Sequence, residues 1–187
     1  MKIAIISGSP RLEANSVKLA EAAIAALPGN AHQIEKHFLN QLRFRGCQGC
    51  YSCKTKTEFC VLKDDLTKVL ASAAGADLTI LCSPIYIGEI TGQLKCFIDR
   101  TYSWFKPDFM TNSVPGRLPS GKKLLLVITQ GNPDPKAYAP NIAAYSGYFA
   151  NQGFKVSSFV APGLTNADVN ESNPQFLKDV AALAAEL

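Results

Sequence analysis

Short aliphatic runs alternate with longer segments of helical periodicity along the whole chain, and this constrains the fold more than any other feature. Lys2 to Ser7 is a continuous apolar strand that ends in Gly8, and similar runs recur at Asp77 to Pro84, Lys122 to Thr129 and Phe154 to Val160, with a half-exposed run at His32 to Leu39. Between them lie segments with apolar residues three and four apart: Ser16 to Leu27, Asp64 to Ala74, Gly92 to Phe105, Ala137 to Asn151 and Pro174 to Leu187. Strands that return through helices must lie parallel, and parallel strands buried on both faces read as unbroken aliphatic runs. The expected architecture is an α/β doubly wound sheet of five parallel strands in the order 2-1-3-4-5, with helices on both faces. Asn15 or Ser16 is expected to cap the first helix, and Asp64 or Asp65 the one that follows the cysteines.

At 187 residues one buried core suffices, so residues 1–187 are read as one domain. The longest apolar runs are strand-sized, well short of the roughly 20 residues of a membrane span. Met1 to Ser7 is read as a strand rather than an export signal. The formal charge of +4 is spread without a basic stripe, which argues against nucleic-acid binding. Six cysteines with no export signal argue for free thiols in a cytoplasmic protein.

In a doubly wound sheet, ligands sit beyond the carboxyl ends of the strands where strand order reverses. The loops after the first, third and fourth strands are therefore the ones to inspect. The first, Ser7 to Ser16, runs into a helix start, and Ser9, Arg11, Asn15 and Ser16 supply donors for a phosphate dianion. It matches neither the P-loop nor the dinucleotide glycine pattern. The second contains Pro84, Ile85, Tyr86, Ile87 and Gly88, an apolar wall suited to a planar heteroaromatic ring. The third, Thr129, Gln130 and Gly131, offers amide and backbone donors to a ring's polar edge.

These stretches carry a resemblance. Gly8-Ser9-Pro10-Arg11 with Asn15-Ser16, the run from Ser83-Pro84-x-Tyr86-x-Gly88 through Thr91-Gly92-x-Leu94-Lys95 to Phe97-Ile98-Asp99-Arg100, and Thr129-Gln130-Gly131 are similar to the NADPH-dependent FMN reductase and iron-sulfur flavoprotein family. The resemblance implies a flavodoxin-like fold and an FMN whose phosphate is held by Ser9, Arg11, Asn15 and Ser16. It further implies that Pro84, Ile85, Tyr86, Ile87 and Gly88 line the isoalloxazine, with Thr129, Gln130 and Gly131 at its other side. NAD(P)H or a ferredoxin-like carrier would be the electron donor, a small molecule the acceptor, and the assembly a homodimer or homotetramer. Leu12, Glu13 and Ala14 depart from the residues common in relatives at those loop positions.

Within the loop at about 45–63, Cys47, Cys50, Cys53 and Cys60 form C-x2-C-x2-C-x6-C. The first three spacings are those of a ferredoxin run, and Gly46, Gly49 and Ser52 let the backbone wrap a cluster. A 4Fe-4S cluster is the leading reading, which the resemblance supports. Redox-active thiols without metal come second and zinc third. Cys82 and Cys96 are read as small core residues, His32 and His37 as packed or solvated, and Trp104, Phe105 and Phe109 as core or interface packing. No side chain is assigned acid or base chemistry, since a flavin would carry it. The alternative function is a non-enzymatic flavin or thiol redox carrier or sensor without a cluster.

Overall fold

The computed structural model describes residues 1–29, 31–165 and 168–187. Five parallel strands, β1 (Lys2–Ser7), β2 (Gln33–Phe38), β3 (Leu78–Tyr86), β5 (Lys123–Thr129) and β6 (Lys155–Ala161), run in the order β2-β1-β3-β5-β6. This is the expected doubly wound order. A two-residue strand, β4 (Glu89–Ile90), adds an antiparallel rung to the end of β3. It escapes sequence reading because two residues carry no periodicity.

Successive strand side chains point to opposite faces, and here both faces are buried. Ile3 and Ile5 of β1, with Ile80 of β3 and Val127 of β5, pack under α1 (Asn15–Ala25) and the carboxyl-terminal helix α7 (Gln175–Ala185). Ile6, Leu81 and Leu126 face the other way, toward α3 (Leu66–Gly75), α4 (Gly92–Arg100) and α5 (Ala139–Asn151). Each fully buried aliphatic side chain contributes about 1.5–3 kcal/mol, so the central strands hold the sheet in place. β2 lies at the edge and is mostly exposed, as its polar alternation requires.

Several boundaries differ from the sequence expectation. The helix expected from Gly92 to Phe105 ends at Arg100 and tightens into a 3-10 turn, Thr101–Trp104. Two single-turn helices, α2 (Ser52–Thr55) and α6 (Val169–Ser172), are too short for a periodic signal. The cap expected for α1 is corrected, whereas Asp64, one of the two residues expected to cap α3, does accept from that helix's first amide. Ala14 occupies the N-cap of α1, no side chain caps that helix, and the Asn15 side-chain Oδ1 instead accepts from Val169 N at 3.0 Å. Asp65 stands at the N-cap of α3 without capping it, while Asp64 accepts from Leu66 N at 3.1 Å. Among the described residues no helix is long and apolar enough to cross a membrane.

Candidate functional site

The loops after β1, β3 and β5 meet at one end of the sheet and enclose a cleft of about 180 Å³. Its walls include Ser9, Arg11, Asn15 and Ser16 from the first loop, Pro84, Ile85 and Tyr86 from β3, and Thr129 and Gly131 from the third. Nine of the twelve residues nominated from sequence for a cofactor thus share one space. Leu164 and Thr165, after β6, complete the wall. Sequence reasoning missed them; their one signal was their place after another parallel strand.

Close backbone approach positions the first loop. Gly8 N donates to Cys82 O at 2.9 Å, and a Cβ at Gly8 would lie 2.4 Å from Thr91 Oγ1 and 2.7 Å from Leu94 Cβ. Only glycine fits where the β1 turn crosses the start of α4. The Ser9 hydroxyl accepts from Arg11 N at 3.1 Å, which shapes the turn and leaves the exposed Arg11 side chain at the mouth. Ser16 is fully buried, and its Oγ has no hydrogen-bond partner among the described residues. A buried hydroxyl without a partner carries a desolvation penalty of about 1–3 kcal/mol, which an oxygen-rich ligand in the cleft would relieve. Because α1 also lacks a side-chain cap, the positive end of its dipole faces the same space.

Three nominated residues lie outside the cleft wall. Ile87 and Gly88 form the tip of the β3–β4 hairpin with φ of 49° and 81°, the left-handed pair of a two-residue turn. Ile87 is fully exposed. Gln130 is buried, and its Nε2 donates to the carbonyls of Asn132 (3.0 Å) and Asp134 (2.6 Å). Pro133 and Pro135 have no N–H to shape this segment, so the Gln130 Nε2 does so, while its buried Oε1 has no partner among the described residues.

The cysteine loop forms a second locus. Cys47, Cys50, Cys53 and Cys60 all line one cavity of about 200 Å³, and Arg100 and Tyr102 close it from behind. Left-handed Gly49 (φ 61°) and Tyr51 (φ 55°) turn the chain so that α2 carries Cys53 inward. Lys54 Nζ donates to Tyr102 O (2.7 Å) and Phe105 O (2.8 Å), lies 4.2 Å from the Tyr102 ring centroid, and sits 3.8 Å from Cys53 Sγ. Arg117 Nη2 donates to Cys53 O at 2.7 Å. The far end of the loop is held by Arg100, whose Nη2 donates to Leu62 O at 3.2 Å and whose Nη1 pairs with Asp64 at 2.6 Å.

Hydrogen bonds from the Ser52 backbone and hydroxyl hold the Cys50 thiol below its usual range. Burial pushes the Lys54 ammonium down, a change only partly countered by the neighbouring Cys53. All six cysteines are unpaired, and among the described residues no group of three or more His, Cys, Asp or Glu is assembled closely enough to hold a single metal ion. Cys82 is fully buried and its thiol is pushed up to about 12 by burial, as a core residue's would be. Cys96 departs from the core reading: it is partly exposed and packs beside Gly46, at the root of the cysteine loop.

Comparison with known proteins bears on both loci. The sequence profile of the NADPH-dependent FMN reductase family matches residues 1–137. An iron-sulfur flavoprotein of Archaeoglobus fulgidus is 37% identical over 100 residues, covering 54% of this chain and 45% of that protein. One from Methanosarcina thermophila is 31% identical over 122 residues, covering 65% and 63%. The chain therefore spans only about half to two-thirds of the length of these relatives. In fold it is similar to an FMN-dependent NADH-azoreductase of Bacillus anthracis solved in complex with FMN, with TM-score 0.74, 19% identity and 98% of each chain covered. It is likewise similar to an NAD(P)H:quinone oxidoreductase of Methanothermobacter marburgensis, with TM-score 0.71, 17% identity, and 98% of this chain and 95% of that one covered.

Proposed function

Since the chain belongs to the NADPH-dependent FMN reductase family, we propose that it is an FMN-dependent oxidoreductase that draws electrons from NAD(P)H or a ferredoxin-like donor and delivers them to a small-molecule acceptor. The observation that carries this reading is the convergence of three loops on one cleft that holds the unpartnered Ser16 hydroxyl at an uncapped helix start. That donor set fits a phosphate dianion. Ser9, Arg11, Asn15 and Ser16 would hold the FMN phosphate, Pro84, Ile85 and Tyr86 one side of the ring, and Thr129 and Gly131 the other. Ile87 and Gly88 would border the ring from the hairpin tip, and Gln130 would act by shaping its loop. FMN, when bound, supplies the hydride and electron chemistry. The chain's own part is to bind, orient and exclude water.

Cys47, Cys50, Cys53 and Cys60 would hold a 4Fe-4S cluster, which would supply one-electron exchange. Four thiols around a single cavity, with Lys54, Arg100 and Arg117 close by, fit an anionic cluster with four cysteine ligands. Two relatives named iron-sulfur flavoprotein support the same reading. The unpaired state of the cysteines supports a reducing compartment, and we place the protein in the cytoplasm. Exposed Tyr86 and Ile87 beside the cleft support a homodimer or homotetramer.

Anaerobic purification followed by a visible spectrum and iron and sulfide analysis tests both cofactors. Stopped-flow mixing with NADPH or NADH tests the activity: bleaching of the flavin band is expected. A flavin that neither nucleotide bleaches would remove the NAD(P)H-dependent reading and leave the carrier or sensor.

A further inference from the structure

A larger cavity, of about 520 Å³, lies between α3 and residues 117–119 and shares no wall residue with the cleft. Leu70, Ala71, Ala74, Trp104 and Leu118 make its walls apolar. Its volume falls within the range of small-molecule sites, which combine apolar walls with a few placed polar groups. Lys63 and Arg117 provide those groups, and no carboxylate lines the cavity. Arg117 donates to the carbonyls of Phe105 and Cys53, and among the described residues neither Arg117 nor Lys63 pairs with an acid. Arg100, the third cation in the wall, is already neutralised by Asp64. Two cations with no acidic side chain paired to them, Lys63 lying outside the wall of the four-cysteine cavity, stand beside apolar walls and select a ligand with an apolar body and one negative end.

We propose that this cavity binds a small apolar carboxylate at a site separate from the flavin cleft. Cys60, Arg100 and Ser103 line both this cavity and the one around the four cysteines. A molecule bound here therefore lies one side chain away from the proposed cluster, and its occupancy bears on whatever the thiols hold.

Phenylpropionate, added to the full-length protein as purified with its flavin, is the probe. Isothermal titration should give saturable binding of one molecule per chain. Trp104 is the single tryptophan and lies in the wall, so its emission should change with the same midpoint. The neutral phenylpropanol should bind roughly tenfold more weakly, and Lys63→Gln should weaken phenylpropionate by a similar factor. Ala74→Phe should abolish binding by filling the cavity without altering flavin content. Should that variant misfold, Ala71→Phe, at a more exposed position on the same wall, should block the site while the fold stays intact. No saturable binding, equal affinity for acid and alcohol, or binding that survives both filling variants would overturn the proposal. Retained flavin in the variants separates this result from any failure of the flavin reading.

Discussion

Arg100 Nη1 lies 2.6 Å from Asp64 Oδ1 and 2.7 Å from Oδ2, so that a fully buried guanidinium on α4 is neutralised by a carboxylate just after the cysteine loop. The same guanidinium donates to Arg45 O and Leu62 O, one on each side of the loop. Asp64→Asn would leave this charge buried and uncompensated, at a cost of about 3–5 kcal/mol. Urea unfolding should register that loss.

The pair also sets an acid limit. Burial alone would raise the Asp64 carboxyl, but the Arg100 guanidinium and the Arg45 and Leu66 amides more than offset it and hold the group below the usual carboxylate range. A depressed folded-state pKa stabilises the protein above the unfolded value of about 4 and loses that contribution as pH falls below it. Stability measured from neutral pH downward should decline through this window, and the decline should be shallower in Asp64→Asn.

Ser16→Ala separates binding from stability. Removing a hydroxyl that has no partner takes nothing from the fold, so thermal unfolding of the flavin-free protein should be unchanged or slightly later. FMN affinity should fall roughly tenfold to a hundredfold, the worth of one hydrogen bond to a charged group. Flavin fluorescence titration measures the second effect and differential scanning calorimetry the first.

Gly8→Ala should lower stability and binding together. Its methyl would meet the Thr91 hydroxyl and the Leu94 Cβ well inside contact distance, forcing the β1 turn away from α4. Overpacking of this kind costs about 1–3 kcal/mol, and both the melting temperature and FMN uptake should drop.

Ile87→Asn should stabilise the protein. A β-branched residue at φ 49° carries roughly 1–2 kcal/mol of strain, and its fully exposed side chain returns no packing. Asparagine tolerates that region, so a gain of about 1 kcal/mol is expected in the flavin-free protein. A weaker grip on FMN in the same variant would give the strained turn a binding role.

Cys53→Ser should remove iron and sulfide while flavin remains, because the cysteine cavity and the cleft share no residue. Metal analysis and the flavin absorbance band report the two separately.

The central sheet was legible because strands buried on both faces write themselves as aliphatic runs, as Lys2 to Ser7 and Lys123 to Thr129 do. The site was legible as three loops because doubly wound topology brings strand ends together. What sequence could not carry was side-chain direction: nothing in the run Thr129 to Pro135 shows that the Gln130 Nε2 is spent on the carbonyls of its own proline-bearing loop. Long-range pairing was equally silent. Arg100 closes one of the quoted motifs, yet its partner Asp64 lies 36 positions earlier and reads as a helix cap.

The close approach of Gly8 to Thr91 and Leu94 couples the β1 turn to the helix that begins beneath the apolar wall. Leu94 N donates to the Thr91 hydroxyl at 3.4 Å, so the crowded atom is also the one that caps α4. Quieting the turn with a bound anion should therefore slow amide deuterium uptake in the first turn of α4, a segment that need not touch the anion itself.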